Sequence, residues 1–232
     1  MYRYFGERDF TNAAEQATFA GPERPQSAQF DPLSALERLG LRRSYARDDE
    51  IYTEGDPPDR WYKVIVGTVR TTKLLADGRR HIGEFYSAGE CFGLDNTNER
   101  LYAAEAVGDV VVIRYPRRAT DRLIEDDPRL GCQLCNMTLG ELAHAQARML
   151  LLGRMTATER VATFLLEMSD RGPKGRIELP MSRTDIADYL GLTIETVCRV
   201  LSRFKRDGTI VIPNAHQIEL RDREALEAAG EA

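Results

Sequence analysis

The stretch SRTDIADYLGLTIETVCRVLSRFKRDG, residues 182–208, decides the fold of the C-terminal part of the chain. Ser182 stands three residues before Asp185, which is the spacing of a helix-capping box, and Gly191 ends the helix that this box begins. Thr193 then caps a second helix, whose apolar residues recur with the helical period. Two short helices joined by a glycine turn predict a helix-turn-helix unit.

The second helix of this unit carries residues that suit a DNA groove. From Ile194 to Gly208 the sequence has four basic and two acidic residues, although the whole chain has a net charge of −5. A local basic stripe matters more for phosphate binding than the sum over the chain. Glu195 and Arg199 lie four residues apart on one face, where arginine can bond guanine and a carboxylate can accept from cytosine. The same two residues can instead form an ordinary ion pair on a helix surface.

Short β-prone runs separated by turn residues precede this unit from about Asp49, as in WYKVIVGTVRTTKLL and YAAEAVGDVVVIRY. They predict an antiparallel jelly roll within residues 31–127. Asp77-Gly78 predicts a tight type I′ hairpin turn between two of its strands. Residues 1–30 are polar and predict a flexible N-terminal arm.

A helical period replaces the β pattern after Pro128 and predicts one long helix over 128–153. Its apolar seam has heptad spacing and consists of Cys135, Thr138, Leu142, Ala145, Met149 and Leu152. This seam can pair with the same helix of a second copy, or it can pack on the chain's own β-rich domain. Residues 154–232 contain the helix-turn-helix, and TIVIPNAHQIEL, residues 209–220, predicts a two-stranded wing behind it.

The order of these parts resembles the CRP/FNR family of bacterial transcription regulators over roughly residues 35–222. The most specific segment, YLGLTIETVCRVLSRF at 189–204, resembles the FNR and FixK branch. The resemblance implies an α+β fold with an N-terminal β-roll like that of cyclic-nucleotide-binding domains, a long dimerisation helix and a C-terminal winged helix-turn-helix. It also implies a homodimer that recognises a TTGA-type inverted repeat in double-stranded DNA, activates transcription with RNA polymerase, and controls genes of low-oxygen respiration or nitrogen fixation.

The same resemblance assigns roles to individual residues of the helix-turn-helix. It places three residues of the second helix at base-reading positions: Glu195, Cys198 and Arg199. It places four residues at positions that contact the DNA backbone: Arg183, Thr184, Thr193 and Thr196. Three basic residues further along the second helix can bind phosphate or form a solvated face: Arg203, Lys205 and Arg206.

The segment GECFGLDNTNERLYAAEAV, residues 89–107, bears on the signal that the protein senses. Relatives that bind a cyclic nucleotide carry a similar segment, but here Leu94 and Leu101 replace a carboxylate and a hydroxyl that anchor the ligand, so a cyclic nucleotide is not expected. An iron–sulfur cluster needs about four thiolates, and residues 1–90 contain no cysteine. We therefore expect neither a cofactor nor a bound metal.

Cys198 is then the candidate sensor, because it stands within the predicted DNA-reading helix. Oxidation would add bulk and negative charge to a surface that faces phosphates, so DNA binding should fall. The alternative is that Cys198 is only a small, serine-like contact with DNA. The pair Cys132 and Cys135 is expected to pack at or near the dimer seam, and Cys91 to be a strand residue without a special role.

Other functional classes find less support in the sequence. No nucleophile elbow, P-loop or zinc-protease motif occurs, so we expect no enzyme. The sequence shows neither a signal peptide nor an apolar run of membrane-spanning length, so we expect a cytoplasmic protein without a membrane segment. Two alternatives remain: a regulator of the same family gated by a ligand in the β-roll, and a protein-interaction module that does not bind DNA.

Overall fold

The computed structural model of the protein describes residues 36, 39–95, 97–172 and 175–230. The arm predicted over residues 1–30 lies outside the described residues. The described residues belong to one compact unit, Pro32–Ala232, in which a β-roll, a long helix and a winged helix-turn-helix follow one another along the chain. This is the α+β architecture expected from the sequence.

Two antiparallel four-stranded sheets form the β-roll. One sheet has the strand order β1-β8-β3-β6 and the other has the order β2-β7-β4-β5, so several neighbours are distant in sequence, as in a jelly roll. The strands within the described residues are β1 (Leu41–Tyr45), β2 (Glu50–Tyr52), β3 (Arg60–Val66), β4 (Thr68–Leu74), β5 (Arg80–Ser87), β6 (Cys91–Phe92), β7 (Ala103–Ala106) and β8 (Val110–Pro116).

Apolar side chains from both sheets fill the β-roll. Val64, Val69 and Val112 are fully buried, because alternate residues of a strand point to opposite faces of its sheet. The rings of Tyr62 and Phe92 stack with 5.0 Å between their centroids. Each such side chain contributes about 1.5–3 kcal/mol through burial alone. The interior of the roll is therefore a packed core built from the protein's own side chains.

The turn between β4 and β5 differs from the predicted one. Gly78 has a φ of 84°, but Asp77 is not among the residues with positive φ, so the type I′ prediction for this pair is wrong. Instead, the Gly78 N–H donates to the Leu75 carbonyl at 2.9 Å, and the Leu75 N–H donates to the Arg79 carbonyl at 2.8 Å. This is a three-residue hairpin loop closed by a left-handed glycine. It needs only one positive φ, which glycine adopts without strain.

A helix of 27 residues, α2 (Pro128–Arg154), follows the β-roll and the shorter helix α1 (Arg117–Asp126). Asp127 begins α2, because its side chain accepts a hydrogen bond from the Arg129 N–H at 3.1 Å. The helix ends one residue later than predicted. Gly153 lies inside the last turn and is not among the glycines with positive φ, the conformation that would end the helix there.

The C-terminal domain is a winged helix-turn-helix, as predicted. The capping box predicted at Ser182 with Asp185 is present, and a second one, Thr156 with Glu159, begins the preceding helix. None of the described helices combines the length and the apolar character that crossing a membrane requires. The elements of this domain are α3 (Ala157–Arg171), β9 (Arg176–Glu178), α4 (Arg183–Leu190), α5 (Ile194–Arg206), β10 (Ile210–Asn214), β11 (Gln217–Leu220) and α6 (Arg223–Gly230), with the wing strands in the order β10-β11-β9.

Candidate nucleic-acid interface

The turn between α4 and α5 sets the direction of the second helix. Gly191 closes α4 with a φ of 62°, and its N–H donates to the Ala187 carbonyl. The Thr193 side chain then accepts a hydrogen bond from the Thr196 N–H at 3.3 Å, which caps the start of α5. Because both helix ends are closed by local hydrogen bonds, the sequence itself determines the angle at which α5 leaves the turn.

Helix α5 has one buried face and one exposed face. Four apolar side chains, spaced with the helical period, pack in the core of the domain: Val197, Val200, Leu201 and Phe204. The opposite face is exposed to solvent and carries Glu195, Cys198, Arg199, Ser202, Arg203, Lys205 and Arg206. We call these seven residues the exposed face of α5. All three predicted base-reading residues lie on it.

Glu195 and Arg199 do not pair with each other within the described residues. The Arg199 Nη2 instead donates to the Thr196 hydroxyl at 3.4 Å, which is a long hydrogen bond between exposed groups. The backbone N–H of Glu195, with help from the Thr193 hydroxyl, lowers the pKa of the Glu195 carboxyl. An ionised acceptor and a guanidinium donor without a strong intramolecular partner are the groups that reading a G·C pair requires.

Arg183, at the start of α4, lies close to the thiol of Cys198. Desolvation lowers the pKa of Arg183, and charge on Cys198 opposes this shift. The Arg183 Nη1 is buried, and within the described residues it has no hydrogen-bond partner. Thr184 is exposed in the same helical turn. Because this nitrogen is buried, the Arg183 side chain must change rotamer to bring its free donor to a phosphate oxygen.

The other predicted backbone contacts differ in how much of their bonding capacity is free. The Thr193 hydroxyl already caps α5 and also donates to the Thr196 hydroxyl at 3.2 Å, so both threonines serve the helix start first. The Arg203 Nε lies 3.6 Å from the Asp207 carboxylate, whereas Lys205, which is also exposed, forms no ion pair within the described residues. Lys205 is therefore the freer cation for a phosphate.

Ser202 is a residue of the exposed face to which the sequence analysis assigned no role. It lies one helical turn after Cys198 and is exposed. Its hydroxyl can donate to or accept from a base or phosphate. The signal that could have identified it is its spacing of four residues from Cys198, the same spacing that relates Glu195 to Arg199.

The seam of α2 is mostly exposed in the single chain. Leu142 and Met149 are 53% and 74% exposed. Leu152 differs, because it is half-buried against the core of the winged domain. Apolar residues that line up on the open side of a long helix are typical of a protein interface. The chain's own β-roll leaves uncovered five of the six predicted seam residues: Cys135, Thr138, Leu142, Ala145 and Met149.

Arg100, which matches the phosphate-binding pattern of relatives that bind a cyclic nucleotide, is engaged by the protein itself. Its side chain is only 1% exposed and its Nη1 lies 2.5 Å from the Asp95 carboxylate. The same nitrogen donates to the Gly93 carbonyl at 2.8 Å, and the guanidinium lies 4.2 Å from the centre of the Tyr52 ring. The guanidinium is thus bound within the β-roll and is not presented to a ligand.

A cavity of about 360 Å³ lies between the β-roll and α2. Glu84, Glu141 and Arg148 line it together with several tyrosines. Burial raises the pKa of the Glu141 carboxyl, and the charge of Glu84 adds to this shift. The ligand-gated alternative rests on this cavity, whose lining holds three carboxylates, those of Glu84, Asp95 and Glu141, against one arginine, whereas a phosphate requires positive charge.

The four cysteines have different environments. Cys91 is a buried strand residue whose pKa burial raises to about 11. Cys132, Cys135 and Cys198 are exposed free thiols. In the part of the chain that the structure describes, no group of three or more His, Cys, Asp or Glu side chains is placed to hold a metal ion. Cys198 is the exposed thiol that lies on the exposed face of α5.

Comparison with known proteins matches both halves of the chain. A family model described as a cyclic nucleotide-binding domain matches residues 42–127, and one described as a Crp-like helix-turn-helix domain matches residues 159–229. The nitrogen fixation regulation protein FixK of Azorhizobium caulinodans is 40% identical over 201 residues, which cover 84% of this chain and 81% of that protein. The protein of the same name from Rhizobium meliloti is 38% identical over 210 residues, covering 89% and 96%.

A solved structure supports the same relationship. The structure of FixK2 from Bradyrhizobium japonicum superimposes with a TM-score of 0.81 at 47% identity, covering 84% of this chain and 98% of that chain. These relatives are named as regulators and not as enzymes, which confirms the class expected from the sequence. The chain belongs to the FixK-like branch of the CRP/FNR family of DNA-binding transcription regulators.

Proposed function

We propose that the protein is a homodimeric activator that reads an inverted repeat of TTGA-type half-sites with two copies of α5. The observation that carries this proposal is the exposed face of α5, where Glu195, Cys198 and Arg199 point away from the core. Arg199 bonds guanine O6 and N7, and Glu195 accepts from cytosine N4. Phosphate contacts from Arg183, Thr184 and Lys205 position the helix without reading sequence.

The dimer forms along α2. A parallel pair of these helices buries the exposed seam residues, including Leu142 and Met149, and it places two recognition helices about 34 Å apart, one turn of DNA. In this arrangement residues 31–127 form a sensor-like domain, 128–153 the dimerisation helix and 154–232 the DNA-binding domain.

Oxidation of Cys198 controls DNA binding in this proposal. Its thiol is exposed on the face that meets DNA. Peroxide transfers one oxygen atom to the sulfur and leaves as water, which gives a sulfenic acid, and further oxidation adds negative charge. A charged, larger group there repels phosphates and displaces the neighbouring Arg199 from its base. The serine-like alternative predicts no response to oxidants.

The genes under control follow from the relatives. Proteins named as nitrogen fixation regulators and as transcriptional activators are similar over most of the chain, which supports activation of nitrogen fixation genes. Control of genes of low-oxygen respiration is what the family resemblance implies. The protein acts in the cytoplasm, where bacterial DNA and RNA polymerase are found, and an exposed surface of the dimer contacts the polymerase.

The test is selection of bound sequences from random DNA, followed by affinity measurement at several salt concentrations. We expect an inverted repeat of TTGA-type half-sites and a steep linear fall of log affinity with log salt. A selected sequence without two-fold symmetry would refute the homodimeric reading. Affinity independent of salt would favour a protein-interaction module, and affinity that rises with added cyclic nucleotide would favour the ligand-gated alternative.

A further inference from the structure

Two arginines of the β-roll reach across to the first helix of the helix-turn-helix. The Arg80 Nη2 lies 2.5 Å from the Asp185 Oδ1, and the Arg80 Nε lies 2.8 Å from the Asp188 Oδ2. The Arg70 Nη1 lies 3.4 Å from the same oxygen of Asp185. We call these four residues, Arg70, Arg80, Asp185 and Asp188, the interdomain cluster. It joins strands β4 and β5 to helix α4.

Asp185 has two tasks at the centre of this cluster. Its Oδ2 accepts from the Ser182 N–H at 3.0 Å and from the Ser182 hydroxyl at 2.9 Å, which caps α4. Its Oδ1 faces the arginines of the β-roll. Burial by itself would raise the pKa of Asp185, but the hydrogen bonds from Ser182 and the charges of Arg70 and Arg80 hold it below its usual range. The residue is 4% exposed, so its charge is balanced by these partners and not by water.

Arg70 is fixed firmly on the β-roll side. Its Nε donates to the Glu105 carboxylate at 2.8 Å, and its Nη2 donates to the Asp48 carboxylate at 2.9 Å. Only 8% of this residue is exposed. Because three carboxylates use its guanidinium in a fixed fork geometry, it presents Asp185 with a rigid partner and not with a mobile surface charge.

The other end of α4 is held by a second set of contacts. The Tyr189 hydroxyl donates to the Glu84 carboxylate at 3.0 Å, and the Arg148 guanidinium lies 3.2 Å from the centre of the Tyr189 ring. The Tyr189 and Phe85 rings pack with 5.0 Å between centroids. Helix α4 is therefore attached to the β-roll at both ends and to α2 at its C-terminal end.

The position of α4 determines the position of α5. The two helices are joined by the short turn that contains Gly191, and they share one apolar core through Ile186, Leu190, Val197 and Leu201. Helix α5 therefore moves with α4 as one body.

We propose that Arg80, supported by Arg70, is a positioning residue for DNA recognition: by holding Asp185 and Asp188 it fixes each α5 relative to its own β-roll, and so sets the separation of the two recognition helices. This inference rests on the proposed homodimer that reads an inverted repeat. A domain held only by its covalent connection would tolerate half-sites at altered spacing, whereas a domain attached to a rigid β-roll discriminates between spacings that differ by one base pair, about 3.4 Å.

The experiment uses the full-length protein and fluorescence anisotropy on three duplexes: the selected inverted repeat, and the same repeat with one base pair inserted or removed between half-sites. Arg80→Gln should bind the selected repeat about tenfold more weakly. More decisively, its preference for the selected spacing over the altered ones should fall at least about threefold, because the two α5 helices gain freedom.

Arg223→Gln is the matched control. Arg223 also bonds two carboxylates, Asp170 at 2.8 Å and Glu227 at 2.7 Å, but all three residues lie within the DNA-binding domain. It should keep both the affinity and the spacing preference of the wild type. The conservative variant Arg80→Lys, which keeps a positive charge beside Asp185 and Asp188, should recover part of the spacing preference that Arg80→Gln loses, which separates the cross-domain contact from a general loss of folding.

Two results would overturn the inference in different ways. If Arg80→Gln keeps the wild-type spacing preference, even with weaker binding, Arg80 only stabilises the fold and the positioning role is refuted alone. If the wild type itself binds all three duplexes equally, its DNA-binding domains are not held at a fixed separation, and the positioning role is refuted although the homodimer stands. The homodimeric reading fails separately, if the selected sequence has no two-fold symmetry.

Discussion

Replacement of Arg199 by alanine tests most directly whether α5 reads bases. Arg199 is exposed, and the hydrogen bond that its guanidinium makes in the protein is long, 3.4 Å to the Thr196 hydroxyl. Surface substitutions of this kind change the free energy of unfolding by no more than about 0.5 kcal/mol. The Arg199→Ala protein should therefore fold and dimerise as the wild type does, and any loss of binding can be attributed to the interface.

The expected loss of affinity follows from the geometry of the dimer. One bidentate arginine–guanine contact discriminates by about 1–3 kcal/mol. A homodimer loses this contact in both half-sites, so the total loss of binding free energy is about 2–6 kcal/mol. The dissociation constant should therefore rise by a factor of roughly thirty to more than ten thousand. Binding to random DNA should change little, because phosphate contacts supply that affinity.

Fluorescence anisotropy on the selected inverted repeat and on a scrambled duplex measures both quantities. Arg122→Ala, which removes an exposed arginine from α1 in the β-roll domain, is the control for the change in net charge. Lys205→Ala should instead weaken binding to both duplexes and lower the slope against log salt. Arg199→Ala protein that still prefers the selected repeat by the wild-type factor would refute base reading by this residue.

Three further predictions concern control, assembly and pH. Peroxide should weaken DNA binding by the wild type and by the control Cys132→Ser, which removes another exposed thiol. It should leave DNA binding by Cys198→Ser unchanged. Equal losses in all three proteins would reject Cys198 as the site of control. Met149→Asp should produce a monomer in size-exclusion chromatography with light scattering, because it puts charge into the apolar seam. Leu150→Asp, at a comparably exposed position off the seam, should remain a dimer. A dimeric Met149→Asp protein would contradict dimerisation through this seam. The pKa of Asp185 lies below its usual range, so its contribution to stability is present above the unfolded-state pKa of about 3.9 and is lost as the pH falls through the lower folded value. In urea unfolding, Asp185→Asn should therefore lose less stability than the wild type between about pH 6 and pH 3, and equal losses would show that this carboxyl does not carry the effect.

Local rules predicted the elements of the DNA-binding domain because the interactions that begin and end its helices are themselves local. The capping residues Ser182 and Thr193 bond to N–H groups three residues away, and Gly191 takes the left-handed conformation that ends a helix. The helical period also separated the buried from the exposed residues of α5, since one face must pack on the core. A sequence carries this information within a window of a few residues.

The same rules failed at two glycines, Gly78 and Gly153, where the sequence predicted a two-residue turn and the end of a helix. Asp77-Gly78 has the sequence of a two-residue hairpin turn, but β4 and β5 pair in a register that ends at Leu74 and Arg80 and leaves a longer loop. Gly153 resembles a helix end, yet its φ is not positive and the helix continues through it to Arg154. Strand register depends on the pairing across the whole hairpin and not on the turn residues alone.

The interdomain cluster shows why a satisfied local pattern can hide a long-range role. The capping box explains the presence of Asp185 when only residues 182–190 are considered. These residues predict no further partner for its side chain. Yet a carboxylate has two oxygens with room for about four hydrogen bonds, and the cap uses one oxygen. The partners of the other, Arg80 and Arg70, lie 105 and 115 residues earlier in the chain. Because Asp185 is buried, its free oxygen must be satisfied by a group from another element. Burial of the capping carboxylate therefore identifies the contact by which the β-roll holds α4. The spacing of the capping box does not.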